Sequence, residues 1–275
     1  MTSPVVPRAT QIRHCSTIQD FEACVRVQQR IWGDELAVPS TMIVAIHHAG
    51  GQVLGAFDAS ELIGFTLAFL GSRRLPARSG SAQRIDTQFL HSHITAVLPE
   101  YRDRGVGRSL KIFQREDALD RGIGLIEWTF DPLELKNAYL NLVRLGVVAR
   151  RFIPNCYGIT ESPLHAGIPT DRLVAEWWLA SQRVKSVIPD HRAPSRNIVK
   201  RVSIPTDISE RKSANRDAAL KIQSDVREQF QQWFSRGYAA TGVENRGASV
   251  DYILEPFDEI AGLHLPPLTA SGVAE

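Results

Sequence analysis

The amino-acid sequence predicts a mixed α/β fold: a mostly antiparallel sheet with one parallel strand pair, flanked by helices. Three observations predict it. Residues 52–58 and 61–70 are apolar runs separated only by Ala59-Ser60, the pattern of a tight antiparallel hairpin. Residues 89–98, 101–121 and 125–130 read as strand, amphipathic helix and strand, an order that favours a parallel pair because the chain must cross back. Residues 147–152 and 172–179 then read as two closing strands.

Taken in order, Thr17 to Asp20 makes a capping-box-like start. Ile18, Phe21, Val25 and Ile31 recur behind it at helical spacing, so a helix should run to about Trp32. Pro39 opens a second, short apolar helix that Gly50-Gly51 can stop. After the hairpin, residues 71–88 are rich in Ser, Arg, Gly and Pro without an apolar period and read as an exposed loop. Residues 133–145 form the next helix, ended by Gly146. Residues 154–170 carry Pro154, Gly158, Pro163, Gly167 and Pro169, a loop too long for a tight hairpin.

A polar stretch at 181–196, with Pro189 and Pro194, marks the expected end of a main domain covering 10–180. Beyond it, residues 198–204, 218–234, 238–243 and 250–254 read as strand, helix, strand and strand. This C-terminal α/β extension, 197–256, is expected to pack on the main sheet, leaving tails at 1–9 and 257–275.

Composition narrows the function. With 275 residues, 43% of them hydrophobic and 23% charged, the chain has the balance of a globular protein. Its 32 basic and 30 acidic side chains leave a net charge of +2, too small to suggest a nucleic-acid or anionic-membrane surface. Only six of the basic residues are lysines, so the cationic inventory is mostly arginine, the side chain that grips phosphates and carboxylates bidentately. Three cysteines without CxxC spacing suit a reducing cytoplasm. The longest apolar run, residues 62–70, is far short of the roughly 20 residues that span a bilayer.

The chemically informative segment is Val97-Leu-Pro-Glu-Tyr-Arg-Asp-Arg-Gly-Val-Gly-Arg-Ser-Leu110, between a strand and an amphipathic helix. Gly105 and Gly107 let the backbone pass close to a ligand, and the amides at a helix start can cradle an anion such as a pyrophosphate. The run is neither GxxxxGK[ST] nor GxGxxG, which removes the usual mark of nucleoside-triphosphate and dinucleotide sites.

Arg102, Gly105 and Gly107 fit the pattern (Gln or Arg)-x-x-Gly-x-(Gly or Ala), and the run resembles motif A of the GNAT superfamily of acyl-CoA-dependent acyltransferases. The likeness, with the order of elements around it, spans residues 12–179. It implies a sheet with two splayed parallel strands, 89–98 and 125–130, that take the pantetheine arm between them. It further implies transfer of an acyl group from an acyl-CoA co-substrate to an amine, with no metal. Backbone groups at Ala96 and Val97 would hold the pantetheine, assisted by Asn137. Arg102 and the amides of Asp103, Arg104, Gly105, Val106, Gly107 and Arg108 would hold the pyrophosphate. An amide near a bulge in the first splayed strand would polarise the thioester carbonyl.

For the base that takes the acceptor's proton, counting back along the strand to the family's position lands on His91. His93 on the same face and Glu127 on the neighbouring strand are the alternatives. His91-Ser92-His93 could also share a metal, but no third ligand is near in sequence. Leu142 stands where the family often has a thiolate-protonating tyrosine, and Tyr139 lies one turn earlier on a similar face. Arg172, or the pair Arg150-Arg151, could clasp an acceptor carboxylate.

The length and the C-terminal part resemble a longer bacterial branch of the family, some of whose members are associated with N-succinyl amino acid metabolism. Acetyl-CoA or succinyl-CoA as donor, and a small amine or amino acid as acceptor, are the expected substrates; a homodimer is the expected assembly. A non-catalytic acyl-CoA sensor and an enzyme acting on a protein amine are the competing classes.

Overall fold

The computed structural model describes residues 10–34, 37–76, 84–158, 167–190 and 199–259, and the chain divides into two compact units. One unit comprises residues 1–75 and 84–126, the other 76–83 and 127–275. The elements include the mostly antiparallel sheet and single parallel pair expected from the sequence.

In the first unit the strands run in the order β1 (Gln11–His14), β2 (Gln52–Asp58), β3 (Glu61–Pro76), β4 (Arg84–Val97) and β5 (Leu125–Phe130), whose last four residues belong to the second unit. β1 and β2 are antiparallel, as are β2 and β3. β4 and β5, joined through helix α3 (Val106–Asp120), form the parallel pair. β1 was not evident from the sequence: four residues at an edge carry too short an alternation to read.

α1 (Ile18–Trp32) starts at the predicted capping box, where Thr17 accepts from the Asp20 amide at 3.1 Å and Asp20 accepts from the Thr17 amide at 3.3 Å. α2 (Ser40–His48) follows. Phe21 and Cys24 of α1 and Ile43 of α2 form one core with Phe65, Leu67, Ile94, Ala96 and Leu98. Val106 and Leu110 of α3 form another with Leu54, Ala56 and Ile63. The sheet of this unit is therefore a middle layer whose strands are apolar on both faces, which is why their runs lack polar alternation.

The predicted loop at 71–88 is corrected at its two ends, where β3 continues to Pro76 and β4 begins at Arg84, while residues 77–83 lie outside the described residues. The ribbon is held by side chains that conceal its strand character. The Arg73 guanidinium lies 5.0 Å over the Phe89 ring, Arg74 Nε bonds Asp86 Oδ1 at 3.2 Å, and a side chain at Gly71 would collide with Phe89. Cross-strand pairs of this kind stabilise neighbouring strands.

In the second unit the order is β5, β7 (Arg172–Trp178), β6 (Val148–Ile153), β9 (Tyr238–Asn245), β10 (Ser249–Pro256) and β8 (Lys200–Pro205). β6 pairs antiparallel with β7 and, at Ala149, with Ala240 of β9, so the C-terminal strands continue the sheet of this unit. The predicted helix at 133–145 is α4 (Leu135–Ala138) running directly into a π-helical turn, Tyr139–Arg144. The polar stretch at 181–196 contains a helix, α5 (Gln182–Asp190), and the extension holds an unforeseen short helix, α6 (Ile208–Ala214), before the expected long one, α7 (Arg216–Ser235). Tail residues Phe257–Glu259 form a 3-10 turn, while the predicted tail at 1–9 lies outside the described residues. Trp128 and Trp177 are core residues, packed edge to face at 6.0 Å.

Candidate active site

The start of α3 is built by its glycines. The chain leaves β4, makes a 3-10 turn at Pro99–Tyr101 and reaches Gly105 at a φ of +83°, a left-handed conformation that glycine adopts without penalty. The helix therefore begins at Val106 and not at Tyr101, where the sequence had placed it. Its first ladder bond is Ser109 N–H to Gly105 O at 2.9 Å, so the amides of Val106, Gly107 and Arg108 precede the ladder. Gly107 has no positive φ, and a side chain there would meet only Val97 Cγ2 at 3.7 Å. Neither backbone strain nor packing demands glycine at 107; close approach by a ligand would.

Asp103, with a φ of +58°, and Arg102 and Arg104 are exposed around this turn, and the Arg104 guanidinium stands 5.5 Å from the Tyr101 ring centre. Arg102 also braces the strand end, donating from Nε to Val97 O at 3.1 Å. Leu98 N–H donates to Ile63 O at 2.9 Å, so by alternation the Val97 amide points to the opposite edge of β4. Gly64 allows this approach: a Cβ there would come within 2.7 Å of Ala96 O.

Further back along β4, strand parity changes. Phe65, Leu67 and Phe69 share one face of β3. Phe65 and Leu67 pack in the core that contains Ile94 and Ala96, yet Phe69 stacks on His91 at 5.0 Å and lies 5.9 Å from the His93 ring. Odd and even residues of β4 thus exchange faces between His93 and Ile94, which is the mark of a β-bulge. His91 and His93 share a face, as the sequence predicts, with ring centres 6.3 Å apart. Burial, then the charges of His93 and Lys111, pulls the His91 imidazole down to about 4, and burial lowers His93 as well. Burial and these charges thus favour the neutral form of the His91 imidazole.

In the second unit, Glu127 is buried on β5 and accepts from Arg151 Nη2 at 2.5 Å. Glu176 of β7, also buried, takes Arg150 Nε at 3.2 Å and Arg151 Nε at 3.1 Å. Two consecutive residues reach one carboxylate because β6 shifts register between Ala149 and Arg151. Arg150 also covers the Phe257 ring at 4.0 Å. Arg172 is buried, donating to Asp171 O at 3.0 Å, with Asp131 Oδ2 at 4.0 Å and the Tyr157 ring centre at 5.4 Å. The arginines singled out from the sequence are thus already engaged by the protein's own acceptors. Tyr139 is 48% exposed at the head of the π turn and Asn137 is exposed on α4, whereas Leu142 is buried. Among the described residues, no group of three or more His, Cys, Asp or Glu side chains is placed to hold a metal ion, and no helix is long and apolar enough to cross a membrane.

Sequence reasoning missed the polar residues beneath the bulge. Lys111, Gln114 and Ser92 are buried, and Lys111 Nζ donates to Ser92 Oγ at 2.8 Å and Gln114 Oε1 at 3.1 Å. The signal was present: Lys111 and Gln114 fall on the inward stripe of α3 with Leu110 and Ala118.

No family model and no curated protein matches the chain. Solved structures similar to it include the ribosomal-protein-S18-alanine N-acetyltransferase from Escherichia coli, 14% identical, covering 61% of this chain and 92% of that one, with a TM-score of 0.45. An aminoglycoside 6'-acetyltransferase type Ii is 15% identical over 62% of this chain and 99% of its own, with a TM-score of 0.45. An Arabidopsis thaliana protein solved in complex with acetyl-CoA is 13% identical over 62% and 99%, with a TM-score of 0.48.

Proposed function

We propose that this protein is an acyl-CoA-dependent N-acyltransferase of the GNAT type. It would move an acetyl or succinyl group to the amine of a small molecule, such as an amino acid, by direct attack on the thioester. The observation that carries the reading is the start of α3, where a left-handed Gly105 aims helix-initial amides outward and Gly107 leaves open the space above them. An N-terminal helix dipole flanked by Arg102, Arg104 and Arg108 favours a pyrophosphate there.

In this reading the amides from Asp103 to Arg108 hold the pyrophosphate, and the Ala96 and Val97 backbone, with Asn137, holds the pantetheine arm. Arg102 serves by bracing Val97 O. The bound thioester supplies an activated acyl carbonyl. His91 receives the acceptor's proton, directly or through water, as a neutral imidazole whose basicity burial reduces. Glu127, held by Arg151, is the second candidate. Tyr139 would return a proton to the departing thiolate. Residues 10–180 would form the catalytic domain, with 197–256 as an extension used in a homodimer, in the cytoplasm.

Calorimetric titration with acetyl-CoA, succinyl-CoA and free coenzyme A tests the reading. Micromolar binding, about 8 kcal/mol, is the expected result. No binding of any of the three overturns it. With a donor in hand, turnover across a panel of amines is expected, and His91→Ala should lower kcat while leaving donor affinity unchanged. Binding with no turnover on any amine would instead identify an acyl-CoA sensor, a class consistent with buried Leu142 at the family's tyrosine position.

A further inference from the structure

The most unusual group in the first unit is a lysine that the mechanism above does not use. Lys111 projects from α3 into the layer beneath β4, where it is 5% exposed. Its ammonium donates to Ser92 Oγ and Gln114 Oε1, at 2.8 and 3.1 Å. Gln114 Nε2 reaches Thr66 Oγ1 at 3.5 Å, and Gln52 Nε2 donates to the Gln114 carbonyl at 3.2 Å.

Thr66 closes the network on the bulge itself. Its hydroxyl donates to the Ile94 carbonyl at 2.9 Å and lies 3.1 Å from Thr95 Oγ1 and 3.4 Å from Ser92 Oγ. Ser92 and Thr95 are three residues apart and would face opposite sides of a regular strand, so one hydroxyl can touch both only across an irregularity. The network thus spans the bulge from both sides: Lys111 holds Ser92 on one flank, and Thr66 holds Ile94 and Thr95 on the other.

We propose that Lys111 and Thr66 are positioning residues of the transfer reaction, fixing the β4 bulge so that His91 and the bulge amides keep the geometry the reaction needs. The proposal rests on the acyltransferase reading for its purpose but not for its geometry. Burying a cation is costly unless its donors are satisfied, and here Ser92 Oγ and Gln114 Oε1 accept from it. Burial brings the Lys111 ammonium down to about 7. Its charge and that of His93 are the ones that act on His91; Phe69, the β3 residue stacked on it, is uncharged.

The test uses the full-length protein and NMR of its histidine side chains and backbone amides, which requires no substrate. In Lys111→Met, a change of similar length, the His91 midpoint should rise by roughly half a pH unit, because a repelling charge has been removed. In Thr66→Val, amide exchange at His93 and Ile94 should accelerate at least tenfold, and Thr66→Ser should restore it. If turnover is found, the acid limb of kcat in Lys111→Met should move upward by the same amount as His91, with acetyl-CoA affinity unchanged. An unmoved His91 midpoint, or bulge amides indifferent to Thr66→Val, overturns the proposal. Failure of the wild type to bind acyl-CoA would instead overturn the acyltransferase reading while leaving these NMR results intact.

Discussion

The start of α3 and the charged face of β5, β6 and β7 achieve local order by opposite means. At α3 the order lies in the backbone: amides that precede the helical ladder, a left-handed Gly105 and an open position at Gly107. On the strands it is carried by side chains: buried Glu127 and Glu176 bound by Arg150 and Arg151. The first region keeps its donors directed outward, and the second spends them on its own acceptors. Donors left pointing outward can recognise a ligand, whereas donors committed to buried carboxylates mainly hold the structure.

That contrast can be broken or sharpened in steps. The largest effect is expected at Glu176→Ala, which removes the buried carboxylate shared by two arginines and should cost about 3 kcal/mol in urea unfolding. A loss no larger than that of an ordinary surface change would mean the pair is a solvated decoration. Gly107→Trp should weaken acetyl-CoA binding about 100-fold, near 2.7 kcal/mol by calorimetry, with the unfolding midpoint nearly unchanged. Unaltered affinity would remove the cradle from consideration. Gly105→Ala should cost about 1–2 kcal/mol of stability. Its Cβ would meet nothing within 4 Å, so any loss is conformational.

The smallest effect concerns the α1 cap. The Arg13 guanidinium, then the amides of Ser16 and Thr17, hold the Asp20 carboxyl at about 2. A depressed carboxylate contributes stability above its unfolded value and loses it as the pH falls toward its folded one. Asp20→Asn should therefore be less stable than the wild type at pH 6, with the gap closing between about pH 4 and about pH 2. A gap that ignores pH would assign the cap's strength to shape and not to charge.

What was legible in the sequence follows the same division. The hairpin, the capping box, the strand, helix, strand unit and the Gly105 and Gly107 turn were readable because glycine, proline and apolar periodicity act locally. The strand ends at 71–76 and 84–88 were not, since their pairs, Arg74 with Asp86 and Arg73 over Phe89, join residues distant in sequence within a stretch whose composition imitates a loop. Nor was the engagement of Arg150 and Arg151 by Glu176, which depends on a register shift that no local pattern announces. His91 and His93 could be placed on one face by alternation. That the face changes immediately after them, and that Lys111 lies behind, required the fold.

The π turn at Tyr139–Arg144 bears on how this chain tolerates insertion and deletion. A turn closed from residue i to i+5 holds one residue more than the α-helical turn it replaces, so the segment carries a spare position. Deleting a residue there would let α4 continue as ordinary helix into Leu145, whereas a deletion inside α3 would rotate Lys111 and Gln114 out of their layer. Length variation in this protein should be absorbed at the first place and rejected at the second.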